Sequence, residues 1–333
     1  MGKFKKIILW LFVALTVLVA GCEKEKIVPD EFTKPKSSDE AQQTDEVDVD
    51  PYWAQPVDSG LCRTVGECRD LGDTYGIDHF ESYRRGLSYT DEPWLLDTGT
   101  ESDKFGYDIG HEDEESVLAR YEIKDDELVL TSGVEEGIFN DVAEVVMALY
   151  DRSKIDFGEL NFQKDVYSHV MVYDGKLGIL ANDLTQMYQP FIIATLLHEY
   201  GHMLTLRLAD QTVNVNCPDG CFKDESYYSL YYYEFLTEYE KEWLTGGYER
   251  PEERMAFYEK HKDAFVSTYA AVSSYEDIAE SFTRFILMPY NENPQSVPEN
   301  KINFFYQFPE LVEYRTFVLK TLNERKKETG GFY

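Results

Sequence analysis

Between Pro190 and Leu208 the chain carries an apolar run interrupted by two histidines and a glutamate: Phe191-Ile-Ile-Ala-Thr-Leu-Leu-His-Glu-Tyr-Gly-His-Met203. Proline suits a first helical position, so the run is expected to be a helix from Pro190 to about Leu208. On a helix, positions i and i+4 share a face, which turns the imidazoles of His198 and His202 toward one point. His198-Glu199-Tyr200-Gly201-His202 fits the His-Glu-x-x-His pattern of a metal-binding helix, in which the acid beside the first ligand reaches water as a general base. With 6 His and 63 Asp+Glu in 333 residues, chance supplies roughly 0.02 copies of this pattern. Gly201 weakens a helix by about 1 kcal/mol relative to alanine, a loss easier to accept if another element packs closely there.

The surrounding pattern predicts an α+β arrangement. Glu127–Thr131 reads as a short strand, and Glu136–Asp151 as a helix with Ile138, Val142, Val145, Val146 and Leu149 on one face. His169–Tyr173 and Lys176–Leu180 are apolar runs joined by Asp174-Gly175, a two-residue hairpin signal. After Ser226 the chain reads as helical: a Tyr-rich helix to Trp243, then Pro251–Lys262, Glu276–Leu287 and Pro309–Glu324. A small mixed sheet, an active-site helix and a mainly helical C-terminal half follow from that order. Residues 59–125 are irregular and receive no assignment.

The N-terminus bears on location. Lys3, Lys5 and Lys6 precede an uncharged apolar run, Ile7–Ala20, of a length that suits a signal peptide better than a bilayer span. Leu18-Val-Ala-Gly-Cys22 follows, and small residues before a cysteine at that place resemble the lipobox of bacterial lipoproteins. The expectation is a signal peptide over 1–21, lipidation at Cys22, and export to a bacterial membrane or cell envelope. Residues 22–58 are acidic and polar and read as a tether. Four further cysteines in an exported chain suggest two disulfides, and short local loops, Cys62 with Cys68 and Cys217 with Cys221, are preferred. The net charge of -31 argues against nucleic acid as a partner.

Zinc needs a third protein ligand and an open fourth position. His261 is the one histidine after His202, and it does not lie at the short downstream spacing of the metzincins. Tyr275-Glu276-Asp277-Ile278-Ala279-Glu280-Ser281-Phe282 lies on the expected later helix, and Glu276, Glu280 and Asp277 are all candidates. Here the chain resembles the gluzincins. The Glu-x-x-Ala-Glu-x-Phe form is especially similar to the anthrax lethal factor catalytic domain and to zinc-binding metallopeptidases among bacterial lipoproteins. The resemblance spans roughly residues 127–290.

It implies a zincin-like catalytic domain over 126–333 holding one Zn2+. Glu276 would be the third ligand beside His198 and His202, Glu199 the base, and Glu280 a carboxylate supporting a ligating histidine. Tyr269, seven residues before Glu276, occupies the spacing of a tyrosine near the oxyanion, with Tyr275 and the Tyr227–Tyr233 cluster as competitors. It further implies a peptidase, expected as a monomer, acting on protein or peptide, with Leu177–Asn182 as the edge strand that pairs with substrate. Two alternatives remain open. One is a zincin acting on a non-protein amide such as a peptidoglycan stem peptide. The other is a non-catalytic surface lipoprotein that binds a glycan or protein partner through the aromatic segments Tyr227–Trp243 or Trp53–Trp94.

Overall fold

The structure is a computed structural model that describes residues 51–58, 60–91, 116–164, 170–173, 175–214, 217–245 and 251–333. Cys22, the expected signal peptide and most of the expected tether lie outside the described residues, as do Trp94, His169, Asp174 and the side chains of Cys217 and Cys221. Among the described residues the elements run α1 Val65–Gly76, α2 Phe80–Leu87, β1 Val117–Lys124, β2 Glu127–Gly133, α3 Gly137–Leu149, β3 Glu159–Gln163, β4 Val170–Tyr173 and β5 Lys176–Leu180. There follow α4 Asp183–Gln186, α5 Gln189–Thr205, β6 Gln211–Asn214, β7 Cys217–Phe222, α6 Tyr227–Phe235 and α7 Glu240–Thr245. The chain continues through α8 Pro251–His261, α9 Ser274–Leu287, α10 Val297–Asn303 and α11 Pro309–Thr329. The class is mixed α+β and mainly helical. No described helix is long and apolar enough to cross a membrane.

Five strands form a mixed sheet in the order β2-β1-β3-β5-β4. The β3–β5 pair is parallel and the other pairs are antiparallel. α3 covers it with Phe139, Val142, Val145, Val146 and Leu149 buried, and the Phe139 ring stacks on Phe162 of β3 at 4.3 Å. The turn between β4 and β5 places Gly175 at φ 72°, which glycine adopts without a Cβ penalty. One expectation is corrected by this topology. The strand Leu177–Asn182 is not an edge, because β5 is flanked by β3 and β4; among the described residues β4 is the edge on that side.

α5 is the central helix, with fourteen of its seventeen residues buried. Its N-terminus is crossed by α2, where Gly86 lies so close that a Cβ would stand 2.7 Å from the carbonyl carbon of Pro190. Its middle is crossed by α9, where a Cβ on Gly201 would meet Phe282 Cδ1 at 3.1 Å and Ala279 Cα at 3.4 Å. The helix-weakening glycine therefore sits where α9 packs closely on α5.

The segment without a sequence assignment is folded where described. α1 begins at a Thr64 cap, is tied to the segment before it by the Cys62–Cys68 disulfide, and packs on α11 through Thr316 Oγ1, which donates to Cys68 O at 2.6 Å. The Tyr-rich helix is interrupted after Phe235, so that Tyr239 and Trp243 can pack on Phe257 and Phe265. Between the pairs Thr212–Cys221 and Asn214–Cys217, three residues of β7 lie opposite one of β6. The Pro218-Asp219-Gly220 turn is thus a bulge within a strand.

A candidate metal centre between two helices

α5 presents His198 and His202 one turn apart, with ring centroids 4.6 Å apart and planes at 85°. α9 faces them with Glu276. Its Oε2 lies 2.9 Å from His198 Nε2 and 3.3 Å from His202 Nε2. These three residues form a group whose ligand atoms all lie within 4.8 Å of one another. Four ligands at about 2.0–2.1 Å around a tetrahedral zinc stand roughly 3.3 Å apart, so the spacing and the nitrogen and oxygen donors fit that ion. Glu276 is at the third position of α9, where its N–H is capped by Ser273 Oγ at 3.2 Å. Ser273-x-x-Glu276 has the form of a capping box, yet the Glu276 carboxylate turns to the histidines. Positive backbone ends at the start of α9 favour the anion there.

The remaining candidate acids have other partners. Glu280, one turn further along α9, accepts through Oε1 from His198 Nδ1 at 3.0 Å. Its Oε2 accepts from Ser267 Oγ and from Arg284 Nη1, both at 2.6 Å. Asp277 points away from the histidines: its Oδ2 lies 2.7 Å from Lys301 Nζ and accepts from Tyr231 OH at 2.9 Å. His261 contacts Glu242 on α7, 2.9 Å from Nε2 to Oε2.

Burial and charge set the protonation states. Burial disfavours the imidazolium of His198, but the carboxylates of Glu276 and Glu280 on its two nitrogens outweigh it and hold its pKa well above the ordinary range. Burial likewise opposes ionisation of Glu276, and the charges and hydrogen bonds of His202 and His198 prevail, pulling it well below the carboxylate range. Glu280, buried as well, is brought down to about 2 by Arg284 and His198.

Glu199 is buried beside this group, and burial raises its pKa against the pull of His202 and His198. The backbone of Val172 on the edge strand β4 also acts on this carboxylate, favouring its ionised form. Tyr269 opens a short 3-10 turn, Tyr269–Val272, and its ring centroid is 5.8 Å from that of His198. Tyr275, the competitor, packs on Tyr228 at 5.2 Å. Other aromatics of the Tyr227–Trp243 segment serve the core: Tyr231 and Tyr239 are buried, whereas Tyr233 is 61% exposed. Trp53 lies over the guanidinium of Arg69 at 4.4 Å.

Three groups around the centre escape a reading of the motif alone: Ser267, Arg284 and the backbone of Val172. Arg284 had a local signal, since Glu280 and Arg284 stand at i and i+4 in the orientation that helices favour. Ser267 and Val172 had none, because their contacts depend on tertiary placement. Comparison with protein-family models, with curated proteins and with solved structures yields no match to this chain.

Proposed function

We propose that this protein is a zinc-dependent peptidase on a zincin-like fold, exported and lipid-anchored through Cys22. The observation that carries the reading is the convergence of His198, His202 and Glu276, with Glu199 buried beside them. His198 and His202 would each offer Nε2, and Glu276 Oε2, to one zinc. Zinc held there supplies Lewis acidity, which polarises a peptide carbonyl and makes water nucleophilic near neutral pH. Glu199 accepts the proton that water loses on attack and returns it to the leaving amine; burial, by raising its pKa, suits it to both steps. Glu280 fixes the His198 ring through Nδ1, as carboxylates behind metal-ligating histidines do. Tyr269, whose ring lies 5.8 Å from that of His198, would donate toward the carbonyl oxygen as negative charge develops. An extended peptide is expected to pair with β4, the strand at the edge of the sheet, rather than with β5.

The test is metal analysis of the purified protein beside E276A and E199Q, with a peptide-library screen for cleavage. About one zinc per chain, weakened in E276A and retained in E199Q with loss of hydrolysis, is the expected result. Unchanged turnover in E199Q would refute the assignment of the base. A folded protein without zinc would favour the binding lipoprotein, whose aromatic support is reduced by the burial of Tyr231 and Tyr239.

A further inference from the structure

Arg284 makes contacts in two directions. Its Nη1 donates to Glu280 Oε2 at 2.6 Å, and its Nη2 donates to Thr90 Oγ1 at 3.1 Å and lies 3.7 Å from Asp91 Oδ1. Thr90 belongs to the 3-10 turn Ser88–Asp91 that continues from α2, and its hydroxyl in turn donates to Leu87 O at 2.8 Å. Asp91 O accepts from Thr268 Oγ1 at 2.9 Å, beside the Ser267 that donates to Glu280. The same α2 approaches the start of α5 at Gly86 and Pro190 without room for a Cβ. One short segment thus touches both helices that carry the candidate ligands.

We infer that Arg284 and the Ser88–Asp91 turn are positioning elements of the metal centre, acting through Glu280 on His198. The inference rests on the zinc reading above. A glutamate side chain, with three rotatable bonds, can present either oxygen to Nδ1 or turn away. With Oε2 held by Ser267 and Arg284, Oε1 is left facing His198 Nδ1, and the ring keeps Nε2 toward His202 and Glu276. The fork of the guanidinium bonds Glu280 with one nitrogen and Thr90 with the other, a bridge that an ammonium on a flexible stem does not reproduce in one geometry. Thr90 therefore sets where Arg284 can stand, although it touches no ligand.

Zinc affinity of the full-length protein, R284M, R284K and T90V is to be measured by competition with a chromophoric chelator. The melting temperature of each metal-free protein and the cobalt(II) absorption spectrum are recorded alongside. R284M is expected to weaken zinc binding about 10–100-fold, the range for changes to groups behind a metal ligand. R284K should fall between R284M and the wild type. T90V, which removes one hydroxyl and should fold even if R284M does not, is expected to weaken binding several-fold and to shift the cobalt spectrum. A merely structural role would lower the metal-free melting temperature and leave affinity and spectrum unchanged; that outcome, in a wild type that binds zinc, overturns the inference alone. A folded wild type that binds no zinc overturns the zinc reading and the inference with it.

Discussion

Lys301 and Asp277 form an ion pair with both side chains 0% exposed, on the side of α9 that faces away from the histidines. Taking both charges out of water is expensive, and burial pushes Asp277 up and Lys301 down against their mutual attraction. The surroundings compensate in part: Tyr231 OH donates to Asp277 Oδ2, and Lys301 Nζ lies 4.4 Å over the Phe265 ring. Among the described residues Asp277 Oδ1 has no hydrogen-bond partner. K301M leaves a buried carboxylate alone and should cost about 3–5 kcal/mol. D277N leaves a buried ammonium and should cost a similar amount. The double variant D277N/K301M carries no buried charge, keeps an acceptor for Tyr231, and should lie within about 2 kcal/mol of the wild type. The coupling, read by urea denaturation of the four proteins as a double-mutant cycle, should then be at least about 3 kcal/mol. The double variant should also retain zinc, because Asp277 is not among the three converging residues. Additive losses would refute the claim that the pair is a self-contained charge compensation, and loss of zinc in a folded double variant would return Asp277 to candidacy as a ligand.

Two further outcomes are expected. G201A gains about 1 kcal/mol of helix propensity but pushes Phe282, whose Cδ1 would stand 3.1 Å from the new methyl, at an overpacking cost of about 1–3 kcal/mol. Its net stability, from thermal melts, should be unchanged or lower by up to about 2 kcal/mol; a rise would mean that α9 does not press on Gly201. Glu280 is lowered from 4.5 to about 2, so its contribution is fully present above pH 4.5 and is lost as pH falls toward 2. On the order of 3 kcal/mol is the upper bound of that loss for the metal-free protein. E280Q should therefore lose less stability than the wild type across that window, and parallel curves would contradict the pairing with Arg284.

The centre was legible because much of its information is local. His198, Glu199 and His202 declare themselves by spacing on one helix, and Glu276 and Glu280 by a second spacing on another. The less legible parts owe their conformation to distant partners. α1 contains three glycines and depends on a cap, a disulfide and α11 for its burial. β3 reads Glu-Leu-Asn-Phe-Gln, an alternation with only two apolar residues and so a weak signal, and its polar positions Asn161 and Gln163 are buried rather than solvated, Asn161 bonding to Glu159 and Arg120. The Tyr-rich stretch reads as one helix because nothing in its composition marks the break, which is imposed by the packing of Tyr239 and Trp243 on Phe257 and Phe265. The edge strand was misplaced for a related reason. The pattern identifies the β4–β5 hairpin but not which strand pairs with β3, and that is decided by the parallel register Glu159–Gln163 against Lys176–Leu180.

Three acids within five residues of α9 show how the fold assigns chemistry that composition leaves open. Glu276 and Glu280 are separated by one turn and so share a face, which places both against His198, one on each ring nitrogen. Asp277 is rotated by about 100° from Glu276 and meets Lys301 and Tyr231 instead. Between the two glutamates the deciding factor is the company of Oε2: in Glu280 it is held by Ser267 and Arg284, whereas in Glu276 it lies between two imidazole nitrogens. A cation placed among these groups therefore meets Glu276 first, and Glu280 acts on it only through the ring of His198.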